Sequence, residues 1–507
     1  MSQLFRCKTL AQLHEEMESD NRLRRVLGPL SLTSLGIGCI IGAGIFVLVG
    51  LVGHDKTGPA LIVSFCVAGL ACVFAALCYA EFASMAPVAG SAYTYAYATL
   101  GELFAWIIGW DLILEYTVAS ASVAHGWSKY FQNFLGIFDL HLWPALKDAP
   151  FAVDSATGGL IPTGTYFDIF ALLIVCALTV VLVLGIRQSA RFNAAMVIVK
   201  VAIVLLVIGV GALYVNPANW KPFAPFGWAG LSFFGHVVWG QTGPGGVPVG
   251  VLAGAAIIFF AYIGFDSVST HAEEAKNPQR DVPLAIVTSL IICTVLYIAV
   301  AAIITGMMPY GQLDKDAPVA VAFQTVGLPS AQLVVSLGAV VGITSVLLVL
   351  MLSQPRVMLA MARDGLLPTS FFGAVHPRFR TPYKSTILTG CVVAAMAALI
   401  PLDILAELVN IGTLLAFVIV CLAVLVMRRI NPQAHRPFRC PWVPVIPVLG
   451  TLTCLLLMFS LPVQNWVRLG VWLVVGLLIY FLYGRRHSIL AKTAASTECP
   501  TNAHLDA

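Results

Sequence analysis

The chain has 507 residues, of which 59% are hydrophobic and only 10% are charged, and its mean hydropathy is +0.91. Ordinary soluble domains have roughly a quarter of their residues charged, so this composition excludes a water-soluble globular protein and predicts an all-α polytopic membrane protein. The net charge of +4 is small, and the chain has no block of five or more basic residues, which argues against a nucleic-acid-binding protein.

Apolar stretches near or above the roughly 20 residues that cross the hydrocarbon core recur along the chain, separated by short charged or Pro/Gly-rich segments. They predict twelve transmembrane helices. The predicted spans are 30–52, 59–82, 93–131, 166–186, 192–214, 249–271, 284–307, 333–360, 385–400, 403–427, 444–461 and 466–484. The third window is long enough for either one tilted helix or a helix with an extension outside the membrane.

The basic residues predict the orientation, because cytoplasmic loops hold the excess of Lys and Arg. With the N-terminus inside the cell, 21 of the 28 basic residues fall in cytoplasmic segments, six fall outside, and Lys200 lies within the fifth span. Residues 1–29 are polar, with Arg22, Arg24 and Arg25 before the first apolar run, unlike a secretory signal peptide. We therefore expect a multi-pass protein of the plasma or inner membrane with both termini in the cytoplasm.

The first and sixth predicted spans are both interrupted near their middles, and each opens a block of five helices. Because five is odd, the second block enters the membrane from the opposite side, which gives the inverted repeat of many secondary transporters. The predicted organisation is a cytoplasmic segment at 1–29, a first repeat at 30–214, an extracellular loop at 215–248, a second repeat at 249–427, helices 11 and 12 at 428–484 and a cytoplasmic tail at 485–507.

Glycines interrupt the first span within residues 36–44. An opened helical turn in the bilayer leaves N–H and C=O groups unpaired, at several kcal/mol each, unless protein, water or a ligand satisfies them. An amino acid would do so, with its carboxylate on the amides of residues 42–44 and its ammonium on the carbonyl of Ile40 and on the matching break at 260–266. The alternative is that the glycines only allow close helix packing. Their spacing, with no preceding strand, does not fit a dinucleotide-binding fingerprint.

Several motifs are together similar to those of one known family. They are Ile41-Gly42-Ala43-Gly44-Ile45-Phe46 in span one, Trp110-Asp111-Leu112-Ile113-Leu114-Glu115-Tyr116 in span three, Phe260-Ala261-Tyr262-Ile263-Gly264-Phe265-Asp266 in span six, Glu273-Glu274-Ala275-Lys276-Asn277-Pro278-Gln279-Arg280 after span six, Arg363-Asp364-Gly365-Leu366-Leu367-Pro368 after span eight and Ile411-Gly412-Thr413-Leu414-Leu415-Ala416-Phe417 in span ten. Over roughly residues 20–484 the chain resembles the amino acid, polyamine and organocation (APC) transporters, and within them the cationic amino acid transporter branch. The resemblance implies the five-plus-five inverted fold of sodium-coupled leucine transporters.

The same resemblance implies which residues hold the invariant part of an amino acid. Carboxylate binding falls on Gly42, Ala43 and Gly44, and ammonium binding falls on the carbonyls of Ile40, Phe260, Ala261 and Ile263. Many members of the family have serine at the position of Ala43, so one side-chain hydroxyl is missing from this chain.

Lys200 is an ionisable residue inside the predicted membrane region. It lies nine residues beyond Arg191, about 13 Å into the membrane, where an unpaired cation costs at least about 2.5 kcal/mol. One interpretation is that its side chain reaches back to the cytoplasmic face. The resemblance implies instead that its ammonium replaces a sodium ion between spans one and eight. Transport would then be independent of sodium, with H⁺ as the coupling ion.

Glu115, in the middle of the third window, is a candidate for the carboxylate that gains and loses the coupling proton. A capped structural ion pair is an equal alternative, and Asp111 and Glu102 on the same span compete for the role. Asp266, just beyond the break in span six, is the other coupling candidate besides Lys200.

Side-chain specificity is expected from residues beside the two breaks and from mid-span eight around Ile343. The pocket that these residues form is mostly apolar, which favours neutral over cationic amino acids.

The predicted function is proton-coupled amino acid uptake by alternating access, with amino acid exchange or a non-transporting sensor as alternatives. No enzyme, metal site or cofactor is predicted, because no nucleophile–base pair or metal-ligand spacing occurs. The expected partners are the amino acid and the lipid bilayer, and a small accessory membrane subunit is left open.

Overall fold

The structure is a computed structural model that describes residues 3–8, 27–86, 90–153, 159–184, 190–379 and 381–492. Within these ranges the chain is mostly helical. The α-helices are α1 (Pro29–Ile40), α2 (Ala43–Phe46), α3 (Leu48–Val52), α4 (Leu61–Met85), α5 (Ala92–Thr99), α6 (Glu102–Gly136), α7 (Ile169–Val183), α8 (Ala190–Gly211), α9 (Val251–Ile258), α10 (Pro278–Met307), α11 (Pro318–Thr325), α12 (Pro329–Arg363), α13 (Thr369–Phe372), α14 (Tyr383–Leu399), α15 (Leu402–Ile430), α16 (Val445–Ser460), α17 (Val463–Ile479) and α18 (Arg485–His487).

Among the described residues, eight helical segments are long and apolar enough to cross a membrane. They are Leu48–Met85, Glu102–Gly136, Ala194–Tyr214, Val251–Ala272, Pro278–Met307, Pro329–Arg363, Ile404–Ile430 and Val463–His487. Four shorter apolar helices, α1, α7, α14 and α16, accompany them. The prediction of a helical, multi-pass membrane protein is confirmed, while the count of twelve crossings and the five-plus-five repeat stay predictions.

The long third window forms two helices rather than one. The chain leaves α5 at Leu100 and turns at Gly101, whose φ of +103° is accessible to glycine because it has no Cβ atom. The following helix, α6, is buried along most of its length and packs against α12 and α15, while α10 packs against α4. Helix α6 is therefore a central element of the bundle.

Three small antiparallel sheets, which the sequence analysis did not predict, lie outside the helices. They are formed by β1 (Phe151–Val153) with β2 (Leu160–Pro162), β3 (Leu231–Phe233) with β4 (His236–Trp239), and β5 (Gln241–Thr242) with β6 (Pro248–Val249). Strands of two to four residues are too short to produce a recognisable alternation of polar and apolar residues.

Both interruptions expected from the sequence are present. Helix α1 ends at Ile40, Gly42 is extended with φ −154° and ψ −144°, and α2 begins at Ala43. The second interruption follows α9, where the chain forms one 3-10 segment at Phe259–Tyr262 and, after Gly264, another at Asp266–Glu274. Gly264 has φ +113°, a conformation that disfavours any residue with a Cβ atom.

Candidate functional site

The two interrupted segments pack directly against each other. A Cβ atom on Gly44 would lie 2.4 Å from the Cα atom of Ala261, and a Cβ atom on Gly264 would lie 2.9 Å from the carbonyl oxygen of Cys39. Close packing, the alternative considered for the glycines, is therefore real at Gly44. It brings the two breaks together and is compatible with a ligand bound between them.

The variant Gly44→Ala is expected to destabilise the protein, because the added methyl group would meet backbone atoms that cannot turn aside. Overpacking of this kind costs about 1–3 kcal/mol. We expect a lower midpoint of thermal denaturation for the purified protein in detergent. Gly209→Ala is the matched control, since nothing lies within 4 Å of a Cβ atom there. Equal midpoints for the two variants would contradict the contact.

A small, partly open cavity lies between the two breaks. Its lining consists of Cys39, Ile40, Gly42, Ala43 and Gly44 from the first break, Phe260 and Ile263 from the second, Ala119 and Val123 from α6, and Val346 and Leu350 from α12. None of these described lining residues carries a formal charge. The cavity thus combines main-chain groups at helix breaks with an apolar wall.

Six of the eight residues assigned to the substrate by the sequence analysis line this cavity. Ala261 packs against Gly44 and is not part of the lining. Ile343 is fully buried on α12 but also does not line the cavity, and in its place the structure has Val346 and Leu350. The sequence analysis missed the pairs on α6 and α12. Each pair is spaced four residues apart and so shares one helix face, but the sequence does not say which face turns inward.

The main-chain groups of the first break differ in how they are satisfied. The first N–H groups of a helix have no acceptor within that helix, which applies to the amides at the start of α2. The carbonyl oxygen of Ile40 accepts a hydrogen bond from the hydroxyl of Tyr297 at 2.7 Å. A carbonyl oxygen has two lone pairs, so Ile40 keeps the capacity to accept one more bond.

Lys200 on α8 holds the same break from another side. Its fully buried ammonium donates to the carbonyl oxygens of Gly38 at 2.7 Å and Ile41 at 3.1 Å. Its stem lies against α12, where a Cβ atom on Gly342 would be 3.2 Å from Cγ of the lysine. The interpretation that Lys200 reaches back to the cytoplasmic face is therefore wrong. The ammonium lies between spans one and eight, where the resemblance implied a cation.

Three carboxyl groups are buried together near the second break. Asp111 and Glu115, one turn apart on α6, and Asp266 are each 1% exposed, and Glu115 lies within electrostatic range of both others. The hydroxyl of Tyr116 donates to Asp266 at 3.1 Å. Within the described part of the chain, neither Asp111 nor Glu115 has a hydrogen-bond partner, and the hydroxyl of Thr413 near Glu115 donates to the carbonyl oxygen of Val409 at 3.2 Å. A structural ion pair of Glu115 is therefore not observed among the described residues.

Glu102, the other competitor for the proton-carrying role, lies in a different environment. Its carboxylate accepts hydrogen bonds from the hydroxyls of Tyr97 at 3.1 Å and Tyr480 at 2.9 Å, and from Ser488. These contacts tie the start of α6 to the C-terminal part of the chain. Glu102 does not belong to the cluster of three buried carboxyl groups formed by Asp111, Glu115 and Asp266.

Known proteins resemble this chain over nearly its whole length. The amino acid permease family matches residues 27–482. The branched-chain amino acid permease BcaP of Bacillus subtilis (strain 168) is 49% identical over 488 residues, which cover 96% of this chain and 99% of the relative. The methylthioribose transporter of the same organism is 47% identical over 492 residues, covering 97% and 100%.

A more distant relative comes from a plant. The vacuolar cationic amino acid transporter 4 of Arabidopsis thaliana is 32% identical over an alignment 607 residues long, which covers 97% of each chain. These relatives agree with the resemblance deduced from the motifs, with the multi-pass helical fold and with a transporter rather than an enzyme. The chain belongs to the amino acid permease family of the APC superfamily.

Proposed function

We propose that this protein is a secondary active transporter that takes up neutral amino acids with aliphatic side chains, together with protons, by alternating access around the two breaks. The observation that carries the proposal is the cavity between the breaks, in which the main chain at both helix breaks adjoins an uncharged, apolar wall. We also propose that both termini lie in the cytoplasm, on the evidence of the basic residues.

The main-chain groups suit the carboxylate and ammonium that all α-amino acids share. Amides of Gly42, Ala43 and Gly44 would donate to the carboxylate, in the manner of anion binding where a helix begins. The ammonium would donate hydrogen bonds to carbonyl oxygens of the second break and to the remaining lone pair of the Ile40 carbonyl oxygen. Phe260 contributes in the same limited way as Ile40, since its carbonyl already accepts from the N–H of Ile263 at 3.2 Å.

The wall of the cavity favours an aliphatic side chain. Burying a leucine-sized group contributes about 1.5–3 kcal/mol, whereas a guanidinium or ammonium without a partner would be strongly unfavourable there. The side chains of Val123, Val346 and Leu350 offer only apolar contact. This argument agrees with the branched-chain substrate in the name of one relative and not with the cationic substrates in the name of another.

The buried charges support proton coupling. Lys200 already supplies a positive charge between span one and span eight, so a sodium ion is not needed at that position. Three buried carboxyl groups lack a basic partner among the described residues, and ionising all three would be costly, which favours a proton residing among them. Glu115 lies between Asp111 and Asp266 in this set and is the proposed carrier.

The deciding experiment is uptake into proteoliposomes with labelled leucine, valine, arginine and methylthioribose, with and without a pH gradient that is acid outside. We expect accumulation of leucine and valine that collapses when a protonophore removes the gradient, and no accumulation of arginine. Uptake that ignores the gradient but requires internal amino acid would favour an exchanger. A second candidate function, suggested by the name of one relative, is transport of methylthioribose. Accumulation of methylthioribose alone would favour that function.

A further inference from the structure

A buried histidine lies on α6 in the same stretch as a residue of the cavity wall, with its ring directed to other contacts. His125 follows Val123, which lines the cavity, by two residues and precedes Gly126. A Cβ atom on Gly126 would lie 3.2 Å from both the Cβ atom of Ala43 and a methyl group of Val47. This stretch of α6 therefore sets the position of the cavity wall and contacts the helix beyond the first break.

The imidazole of His125 lies between two carboxylates from other parts of the chain. Its Nε2 atom is 3.5 Å from Asp148, in the loop after α6, and its Nδ1 atom is 3.7 Å from Oδ2 of Asp168, which caps α7. Oδ1 of Asp168 accepts from Ser128 at 2.5 Å and from the amide of Ala171 at 3.0 Å. Among the described residues, Nδ1 of the histidine and Oδ2 of Asp168 have no hydrogen-bond partner, and they face each other.

The other charges near this group lie on the side of Asp148. Lys129, one turn along α6, donates to Asp148 at 2.5 Å and lies 3.6 Å from Asp316, an exposed residue of the loop before α11. Asp168 makes no ion pair with a lysine or arginine in the described ranges, so His125 is the nearest group able to neutralise it. Within the part of the chain that the structure describes, these four residues are the charged groups that surround the histidine.

The protonation state of the histidine decides how many of these contacts it can make. A neutral imidazole has one N–H group and can donate to one carboxylate, whereas an imidazolium donates to both. Partial burial raises the pKa of Asp148, but the surrounding interactions, chiefly the charge of Lys129, outweigh it and hold the pKa below its ordinary value, so Asp148 is expected to stay ionised. Histidine is the side chain that ordinarily changes charge between about pH 5 and 8.

We propose that His125 is a pH-responsive positioning residue for the cavity. Its protonated ring joins the cavity-lining stretch of α6 to Asp148 in the following loop and to Asp168 at the start of α7, and loss of the proton releases one of these contacts. Substrate affinity then falls as the external pH rises, with little change in the maximal rate. The inference rests on the proposed function only because the measurement is amino acid transport. The proton on His125 is not the proton that is transported.

The test uses amino acid exchange in proteoliposomes, with saturating internal substrate, the internal pH fixed and the external pH varied from about 5.5 to 8.5, the range that brackets histidine titration. We expect KM for the wild type to rise at least fivefold across this range, and KM for His125→Gln to stay constant within twofold. His141→Gln, at an exposed histidine of the same outer loop, is the matched control and should behave as the wild type.

Two further variants keep the test decisive. Glu115→Gln should retain the pH dependence of KM, because its proton is a different one. Asp148 is partly exposed, so this position tolerates substitution better than that of the buried histidine. Asp148→Asn should at least halve the change in KM. A wild-type pH profile in His125→Gln, or in Asp148→Asn, would overturn the inference, as would loss of the profile in Glu115→Gln alone. Absence of gradient-driven accumulation in the wild type would instead contradict proton coupling and leave the exchange measurement valid.

Discussion

Lys200→Ala is expected to abolish concentrative uptake and to lower apparent substrate affinity roughly 30-fold. The substitution removes the only donor that the structure gives to the carbonyl oxygens of Gly38 and Ile41 within the described chain. A buried carbonyl without a donor costs about 1–3 kcal/mol, and a total near 2 kcal/mol corresponds to roughly 30-fold in an equilibrium constant. The cost falls on the conformation of the first break that binds the substrate.

The loss of a buried lysine also leaves empty space against α12, so stability and function must be separated. Lys200→Arg keeps a positive charge but cannot place it in the same small space, and it should also fail to accumulate substrate. Lys147→Ala, at an exposed position, is the matched control and should transport as the wild type. Affinity within twofold of the wild type for Lys200→Ala would contradict the role assigned to this lysine, provided that the purified variant melts cooperatively.

The main-chain part of the site was accessible from the sequence, because glycine within an apolar run has few explanations. Glycine costs a helix about 1 kcal/mol relative to alanine, and Gly42 and Gly264 lie at the two breaks in the structure, whereas Gly44 lies within α2. Lys200, nine residues beyond Arg191, was also recognisable as a site that needs an explanation, but the sequence left open whether its side chain reaches the cytoplasmic face and did not identify the carbonyls of Gly38 and Ile41 as its acceptors.

The side-chain wall was less accessible, because it depends on helix rotation. Most of the middle part of α6 is buried whether its residues are polar or apolar, and the middle part of α12 is largely apolar on all sides, so hydrophobic periodicity does not identify the face that turns towards the cavity. Ile343 and Val346 are three residues apart and so lie only about 60° apart around α12, yet Ile343 is fully buried and Val346 lines the cavity. Contacts between distant parts of the chain, such as His125 with Asp148, have no local sequence signal at all.

The carboxyl groups near the second break show a related limit. The sequence identified Glu115 and Asp266 as candidates and left open whether Glu115 forms an ion pair. The structure brings them together with Asp111 and gives Glu115 no basic partner within the described residues. A charge that is unpaired in a buried environment is costly, whereas a carboxyl group that binds and releases a proton during the transport cycle has a reason to be there.

Glu115→Gln is therefore expected to abolish accumulation driven by a pH gradient while leaving amino acid exchange intact. Glutamine has the shape of a protonated glutamic acid and cannot release a proton, so the binding-competent arrangement persists but the coupling step is lost. A gradient of one pH unit supports up to about tenfold accumulation for one proton per substrate, because one unit corresponds to 1.36 kcal/mol. The wild type should approach this ratio, and the variant should equilibrate at a ratio near one.

Asp266→Asn and Asp111→Asn are the matched variants, since each removes a buried carboxyl group near Glu115 and leaves Glu115 itself unchanged. If Glu115 carries the proton, each should retain accumulation, with a shifted pH dependence caused by the loss of a neighbouring negative charge. Full accumulation in Glu115→Gln, with loss in Asp266→Asn, would transfer the role to Asp266. Full accumulation in all three variants would contradict a carboxyl carrier near the second break. Exchange that fails in Glu115→Gln would mean that this side chain positions the substrate site, because only a structural or binding role would affect a reaction without net proton movement.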